Sequence, residues 1–180
     1  IDYTYSSREN RHLIETKVKH VARLKPDGSL DSTYNINNTG ANTMIVDAAL
    51  IDNDRLVLIG PFTTFNGQAA NGLVCLKADG QIDPSFKLNS GTIERILSVT
   101  YNPILKKIAI TGVFKGLGAI GKVQGVAILN SDGSIDENFI LGDIGTGIAN
   151  FAQILNNGRV VVQGSFSYYN GIKRSSMLIL

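Results

Sequence analysis

The sequence has few of the residues on which common functional sites depend. Among its 180 residues there is no tryptophan, one cysteine and two histidines, which leaves no intrachain disulfide and too few histidines for a histidine-rich metal centre. No apolar run approaches the ~18 residues of a membrane-spanning helix. Seventeen basic residues against fifteen acidic ones give a net charge of +2, which is too small and too dispersed to indicate nucleic-acid binding.

The scarce residues form no catalytic pattern. Cys75 lies inside an apolar run and is interpreted as a small core residue. His12 and His20 lie in the first segment without metal-ligand or triad spacing. That segment, residues 6–25, is rich in arginine and lysine. It is predicted to be a solvated hairpin, and a patch for an anionic partner is the alternative.

Three near copies of one phrase run along the chain: VARLKPDGSLDSTYN, LVCLKADGQIDPSF and VAILNSDGSIDENF. Each has an Asp-Gly pair, a second aspartate four residues after the first, and an aromatic residue three positions later. The pairs recur at steps of 52 and 53 residues, which predicts a repeat architecture. The repeated positions are Asp27, Gly28, Asp31 and Tyr34; Asp79, Gly80, Asp83 and Phe86; and Asp132, Gly133, Asp136 and Phe139.

A second phrase repeats in the same phase. RLVLIGPF, KIAITGVF and RVVVQGSF place Gly60, Gly112 and Gly164 at steps of 52 residues. Two copies continue to an Asn-Gly turn, whereas the middle copy continues as KGLGAIGK. Agreement of two phrases in constant phase indicates one structural unit of about 52 residues. Each copy also begins with a basic residue: Arg55, Lys107 and Arg159.

Each unit is predicted to contain four short strands, because β-branched runs alternate with turn signals. The segments MIVDAALI and IANFAQIL would also fit short helices by their period, but tight turns follow them and favour strands. In the second full unit the predicted strands are roughly 93–101, 107–114, 123–130 and 134–140. The chain is predicted to be a single domain, 1–180, with units at 1–40, 41–91, 92–142 and 143–180.

Local backbone geometry explains why the Asp-Gly pair recurs at a constant spacing along the chain. Glycine accepts a positive φ at low cost, so the pair is predicted to form the tight turn between the third and fourth strands. The second aspartate is predicted to accept hydrogen bonds from nearby backbone N–H groups where the outer strand bends. The aromatic residue after it is predicted to pack between neighbouring sheets.

The strands predict how the sheets pack. RLVLIG, KIAITG, LVCL and VAIL are apolar at successive positions, so both faces of each sheet must be covered. Four-stranded antiparallel sheets that recur about every 50 residues and cover one another describe β-propeller blades. A large β-sandwich is the alternative, although it does not require a constant period.

The two phrases together resemble the delta-60 repeat β-propeller family over nearly the whole chain. These repeats occur in bacterial secreted and surface proteins, including lipoproteins of Bacteroidetes. The resemblance implies an all-β propeller in an extracytoplasmic setting: periplasmic, secreted or on the cell surface. It implies no settled activity and supplies no catalytic residues. The KGLGAIGK segment and the basic first segment depart from the family pattern.

The phase of the repeat also predicts incomplete units. The sequence begins at Ile1 without a methionine, and Leu180 occupies the phase three residues before an Asp-Gly pair. We therefore expect about three and a half blades, cut within a unit at both ends, with any targeting signal or lipid anchor outside the given sequence. Because propellers have roughly four to eight blades, the missing blades are expected from absent chain or from another copy.

The sequence offers few candidates for a metal site. The acidic turns do not match the ligand positions of an EF-hand loop. A different calcium site that uses Asp27 with Asp31, or their copies, is the alternative to plain turn formation. Glu94 and Asp143 break the repeat, as active-site residues would, but no second carboxylate pairs with either. No metal, cofactor or catalytic residue is therefore predicted.

Tyr168, Tyr169 and Asn170 are the predicted ligand-binding residues. They lie together in the loop sequence SYYN, and Tyr168 is the one expected to be exposed, because Tyr169 matches an aromatic position of the repeat. Packing between blades is the alternative role. The predicted function is a non-enzymatic ligand-binding, protein-binding or scaffold module of a bacterial cell-surface protein. The alternative is a carbohydrate-binding or ancillary domain of a polysaccharide-handling protein.

Overall fold

The computed structural model describes residues 3–9, 12–18, 20–36, 39–88, 92–115 and 124–180. These residues form β-strands and one single-turn 3-10 helix, Asp52–Asp54, so the all-β prediction is confirmed. In this part of the chain no helix is long and apolar enough to cross a membrane. The strands are β1 Tyr3–Glu9, β2 His12–Val18, β3 Asp47–Ile51, β4 Arg55–Ile59, β5 Thr64–Phe65, β6 Gln68–Ala69, β7 Leu73–Leu76, β8 Thr92–Asn102, β9 Lys107–Lys115, β10 Gln124–Asn130, β11 Ala149–Ile154, β12 Val160–Gly164, β13 Tyr168–Tyr169, β14 Ile172–Lys173 and β15 Met177–Ile179.

Three antiparallel sheets follow the repeat. Blade 1 has the strand order β3-β4-β7, blade 2 has β8-β9-β10, and blade 3 has β11-β12-β15. Short hairpins, β5-β6 and β13-β14, accompany blades 1 and 3.

The two segments that the sequence also allowed as short helices are the strands β3 and β11. The first segment forms the hairpin β1-β2, as predicted. The alternative, a patch for an anionic partner, rests mostly on side chains outside the described residues; of its two described members, Arg23 and Lys25, Arg23 pairs with Asp31. Most of KGLGAIGK also lies outside them.

The fourth strand of the unit is much shorter than the sequence predicts. In place of a strand over 134–140, Ile135 alone bridges to Leu129. The chain turns directly afterwards, because the N–H of Phe139 donates to the carbonyl of Asp136 at 3.3 Å. The same single bridges in the other units are Leu24–Leu30 and Leu76–Ile82.

The repeated glycines permit a close approach of neighbouring strands. A Cβ at Gly60, Gly112 or Gly164 would overlap a carbonyl oxygen of the first strand of the same unit or of the segment just before it. Any larger residue would therefore push the first and second strands apart. This accounts for the constant phase of the second phrase.

The blades stack face to face. The back face of a blade is defined by alternate residues of its second and third strands: Val57, Ile59, Leu73 and Cys75 in blade 1; Ala109, Thr111, Val126 and Ile128 in blade 2; Val161, Gln163, Met177 and Ile179 in blade 3. The apolar residues of the back face of blade 1 share a core with Ile108, Ile110 and Leu129 of blade 2. Those of blade 2 share a core with Val160, Val162 and Leu178 of blade 3. Each sheet therefore hides one face of the next, as propeller blades do.

Polar bonds reinforce the stacking beside the innermost strands. The N–H of Val99 donates to Asp47 Oδ2 at 3.0 Å, which joins blade 2 to blade 1. Thr100 Oγ1 donates to the carbonyl of Ala152 at 2.6 Å, which joins blade 2 to blade 3. The strands β3, β8 and β11 thus lie side by side, and these two hydrogen bonds cross between them.

Candidate functional site

The first aspartate of each phrase forms a tight turn. Asp132 Oδ1 accepts the N–H of Ser134 at 2.9 Å, and hydrogen bonds from Ser134 lower the pKa of Asp132. Gly133 between them has φ +86°, which a residue with a side chain adopts only at a cost. Asp27 and Asp79 make the same bond to the residue two positions on, also at 2.9 Å.

The second aspartate of each phrase receives both a backbone and a cationic donor. Asp83 Oδ1 accepts the N–H of Ser85 at 3.0 Å, and its Oδ2 accepts from the Arg55 guanidinium at 3.1 Å. Asp136 repeats the arrangement, with Lys107 Nζ at 2.9 Å. Burial alone would raise the pKa of both carboxyls, but these donors outweigh it and hold each pKa below its usual value.

The sequence repeats identified both residues of each ion pair but did not show that they pair. The basic residue that opens the second phrase and the second aspartate of the Asp-Gly phrase share one phase. That common phase was the available signal for a pair inside each unit. The pairs connect the start of the second strand to the short outer strand, so they hold the Asp-Gly phrase on its own sheet.

The first copy of the phrase uses a different cation. Arg23 pairs with Asp31 at 2.8 Å, and its guanidinium lies 4.6 Å from the ring centre of Tyr34. Hydrogen bonds from Thr33, and then from Arg23, lower the pKa of Asp31 to about 2. Arg23 also donates to the carbonyl of Ala78 at 2.6 Å, so it ties the first phrase to the second.

Two of the three Asp-Gly turns pack on the aromatic residue of the preceding unit. A Cβ at Gly133 would lie 2.9 Å from the ring of Phe86, and the N–H of Lys87 donates to the carbonyl of Asp132 at 2.8 Å. The equivalent residues one unit earlier are Gly80 against Tyr34, and Asn35 donating to Asp79 at 2.9 Å. At Gly28, by contrast, no atom of the described chain lies within 4 Å of that position. The repeated phrase is therefore a connector between units as well as a turn.

Blade 3 carries an open face. Met177 and Ile179 are 59% and 56% exposed, whereas Val126 and Ile128, which hold the same phase in blade 2, are 0% and 4% exposed. Val161 is half-buried beside them. The back face that the described chain covers in blades 1 and 2 is thus uncovered in blade 3, and it forms an apolar surface suited to another polypeptide.

The predicted ligand-binding residues lie in the hairpin β13-β14. Tyr168 is 54% exposed, and Tyr169 is half-buried against the core between blades 2 and 3. Asn170 exchanges two 2.8 Å hydrogen bonds with Asp143: its Oδ1 accepts the N–H of Asp143, and its own N–H donates to the Asp143 carbonyl. The Asn-Gly turn at 66–67 is tied down similarly. Tyr168 is therefore the aromatic member of the set that is presented to solvent, and its ligand role stays a prediction.

The other candidates for catalysis or metal binding are Cys75, Asp27 and Asp31, and their surroundings fit a structural role. Cys75 is buried, and burial raises the pKa of its thiol to about 12. Within the described ranges, no three histidine, cysteine, aspartate or glutamate residues are grouped to hold a metal ion. Asp27 and Asp31 each bind the backbone of their own turn.

A cleft of about 800 Å³ opens between blade 1 and the start of β8. Phe62, Leu73, Phe86 and Ile96 contribute apolar walls to it. Asp83 also lines the cleft, but its carboxylate is already paired.

Comparison with known proteins found one match, to a family model that covers part of the chain. A family model described as a domain of unknown function (DUF5122) beta-propeller matches residues 18–34 and 52–86. The match covers the first Asp-Gly phrase and most of the first full unit, including its second phrase. Searches of curated proteins and of solved structures gave no match. The chain is a β-propeller-type domain, with sheets that are not closed into a ring.

Proposed function

We propose that this chain is a non-enzymatic interaction module of a bacterial extracytoplasmic protein, built from delta-60 repeats. In this proposal the open face of blade 3 is the surface on which a further blade docks. The observation that supports this proposal most directly is the exposure of Met177 and Ile179, whose equivalents in both other blades are buried. Full burial of an aliphatic or methionine side chain contributes about 1.5–3 kcal/mol, so covering this face would be strongly favourable.

The non-enzymatic role is supported by how the acidic residues are used. The second aspartates of all three phrases are bound to a cation, and all three also accept backbone N–H groups of their own turns. Hydrogen bonds and cations that stabilise the fold lower the pKa values of these carboxylates. Turnover of a polysaccharide by this chain alone would contradict the proposal.

The covering blade would come from further chain of the same protein or from another copy. The extracytoplasmic and lipoprotein-like setting is supported by the resemblance of the repeats. Fractionation of the source bacterium tests this setting. We expect the full-length protein to be detected outside the cytoplasm. Recovery of the protein in the cytoplasm alone would contradict it.

Sedimentation velocity tests the docking surface. We expect the chain to self-associate as its concentration rises, and we expect Ile179→Lys to abolish the association, because a charge cannot be buried there without a partner. The matched control is Ile104→Lys, which changes another exposed isoleucine in the β8-β9 turn. Association that survives Ile179→Lys would contradict docking between copies. Full-length protein with Ile179 accessible to solvent would contradict docking by further chain.

A carbohydrate-binding role is the second candidate, because Tyr168 presents an exposed aromatic ring. A sugar that binds the native state would raise its melting temperature. A thermal-shift screen against oligosaccharides should then show a shift that Tyr168→Ala removes and Ile104→Ala retains. No shift with any glycan class would exclude this role.

A further inference from the structure

The hairpin β13-β14 is fixed to the rest of the molecule at three points. Tyr169 packs on the core between blades 2 and 3, and Asn170 at the turn exchanges two 2.8 Å hydrogen bonds with Asp143. At the open end of the hairpin, the N–H of Arg174 donates to the carbonyl of Ser167 at 2.9 Å. The backbone behind the opposite face is therefore in place before any ligand binds, which lowers the entropic cost of binding there.

Tyr168 and Lys173 lie on that opposite face. They are direct cross-strand partners, as are Tyr169 and Ile172. Successive side chains of a strand point to opposite faces, and directly opposed residues share one face with their Cβ atoms about 5 Å apart. Tyr168 is 54% exposed, and Lys173 is exposed as well. The hairpin therefore presents a phenol ring and an ammonium group to solvent side by side.

A second cation lies next to this pair. Arg174 is exposed, and its guanidinium donates to the carbonyl of Lys173 at 2.9 Å. Neither Lys173 nor Arg174 forms an ion pair with any described residue. Asp143, whose backbone binds the turn, uses its carboxylate Oδ1 to accept the N–H of Gly145 at 2.7 Å. Two positive charges thus accompany the exposed ring.

The equivalent hairpin of blade 1 has the same geometry and different chemistry. Thr64 and Ala69 form its matching cross-strand pair, and Ala70 stands where blade 3 has Arg174. Ala69 and its neighbour Gln68 are exposed although blade 2 follows blade 1, so exposure at these positions belongs to the hairpin itself. The ring and the charges of blade 3 are therefore departures from the repeat at an open position, as binding residues on a rigid scaffold are.

We propose that the solvent-exposed face of the hairpin β13-β14 binds an acidic polysaccharide through Tyr168, Lys173 and Arg174. The tyrosine ring supplies a flat apolar surface for the C–H face of a sugar, and the two cations pair with its carboxylate or sulfate groups. An acidic peptide would use the same cations but not the ring, and two-residue strands are too short an edge for strand addition. The exposed ring therefore favours the sugar.

This inference rests on the second candidate function, carbohydrate binding, and narrows it to a charged class of sugar. It uses no residue of the back face of blade 3, so it is independent of the docking of a further blade. Binding by one such hairpin is expected to be weak, because each exposed charge pair changes an affinity by up to about fivefold.

Amide chemical shifts of the intact chain, titrated with defined probes at low salt, test the proposal. The probes are oligomers of galacturonic acid, of sulfated galactose and of neutral galactose, and a hexaglutamate peptide. We expect shifts at Tyr168 and Lys173 with one or both acidic sugars, and these two arms show which anion is preferred. Tyr168→Ala and Lys173→Gln should each weaken binding about fivefold, and added salt should weaken it further.

The matched control is Lys87→Gln, which removes an exposed lysine outside the hairpin and should leave binding unchanged. Equal binding of the neutral oligomer, with no effect of Lys173→Gln, would overturn this inference and leave the carbohydrate role in place. Hexaglutamate that binds as tightly as the acidic sugars and is insensitive to Tyr168→Ala would also overturn it. If no sugar shifts these amides, this inference and the carbohydrate role fail together, while the docking surface is still decided by Ile179→Lys.

Discussion

Blades 2 and 3 have the same design and opposite surroundings. Blade 2 is covered on both faces, its phrase is docked on Phe86, and its cation Lys107 is paired. Blade 3 is covered on one face, and its cation Arg159 is without an ion pair in the described ranges. Yet Val161 and Ile179 are apolar, like Ala109 and Ile128, the buried residues at the equivalent positions of blade 2. The repeat pattern encodes the interface whether or not the described chain supplies its other half.

The two blades differ most at the polar positions of the back face. Thr111 of blade 2 is fully buried and donates to the carbonyl of Asn150 at 3.1 Å. Gln163 replaces it in blade 3 and is exposed. A longer amide at this position can meet water or the backbone of a docking partner. The following predictions alter equivalent residues in covered and open positions.

The largest difference is expected between Ile128→Ala and Ile179→Ala. Removing the buried side chain leaves a cavity and should lower the free energy of unfolding by about 2–5 kcal/mol. Removing the exposed one should cost less than about 0.5 kcal/mol. Urea denaturation of the two variants measures both values. Equal losses would mean that the open face is covered in solution.

The next difference is expected between Gly133→Ala and Gly28→Ala. Both place a side chain at positive φ, which costs about 1–2 kcal/mol. At Gly133 the new Cβ would also overlap Phe86 and the Lys87 nitrogen, which adds about 1–3 kcal/mol. Melting curves should rank Gly28→Ala as the milder variant. The reverse order would contradict the docking of turns on aromatics.

A smaller difference is expected between Arg55→Met and Arg159→Met. The first leaves the buried Asp83 without its cation and should cost about 1–3 kcal/mol. The second removes an arginine that has no ion-pair partner among the described residues and should cost less than about 0.5 kcal/mol. Chemical denaturation at neutral pH compares them. A large loss in Arg159→Met would show that blade 3 already holds a carboxylate.

The smallest effect is expected in the pH dependence. The pKa of Asp83 lies below its unfolded value of 3.8, so its contribution to stability is present above that pH. The contribution is lost as the pH falls from about 3.8 through the folded pKa. Wild-type stability should therefore drop on acidification, and Asp83→Asn should reduce that drop. Identical pH profiles would show that this carboxylate gains nothing on folding.

The sequence predicted the blade repeat because two phrases kept one phase over the chain. It also predicted the strands of the second unit from turn signals, apart from the outer strand, which ends after Ile135 because Asp136 starts a turn. It did not predict the Arg55–Asp83 pair, since the partners are 28 residues apart and only the folded sheet joins them. The docking of Gly133 on Phe86 was missed for the same reason.

Thiol accessibility tests the central claim, that one face of each blade is covered by the next, most directly. The native Cys75 and cysteines introduced as Ile128→Cys and Ile179→Cys in a Cys75→Ser background occupy one phase in three blades. Each labelling rate with a maleimide is divided by the rate of the same protein unfolded in denaturant. Cys75 and the Ile128→Cys variant should be strongly protected, and the Ile179→Cys variant should react nearly as fast as unfolded protein. Equal protection of the two introduced thiols would contradict the account.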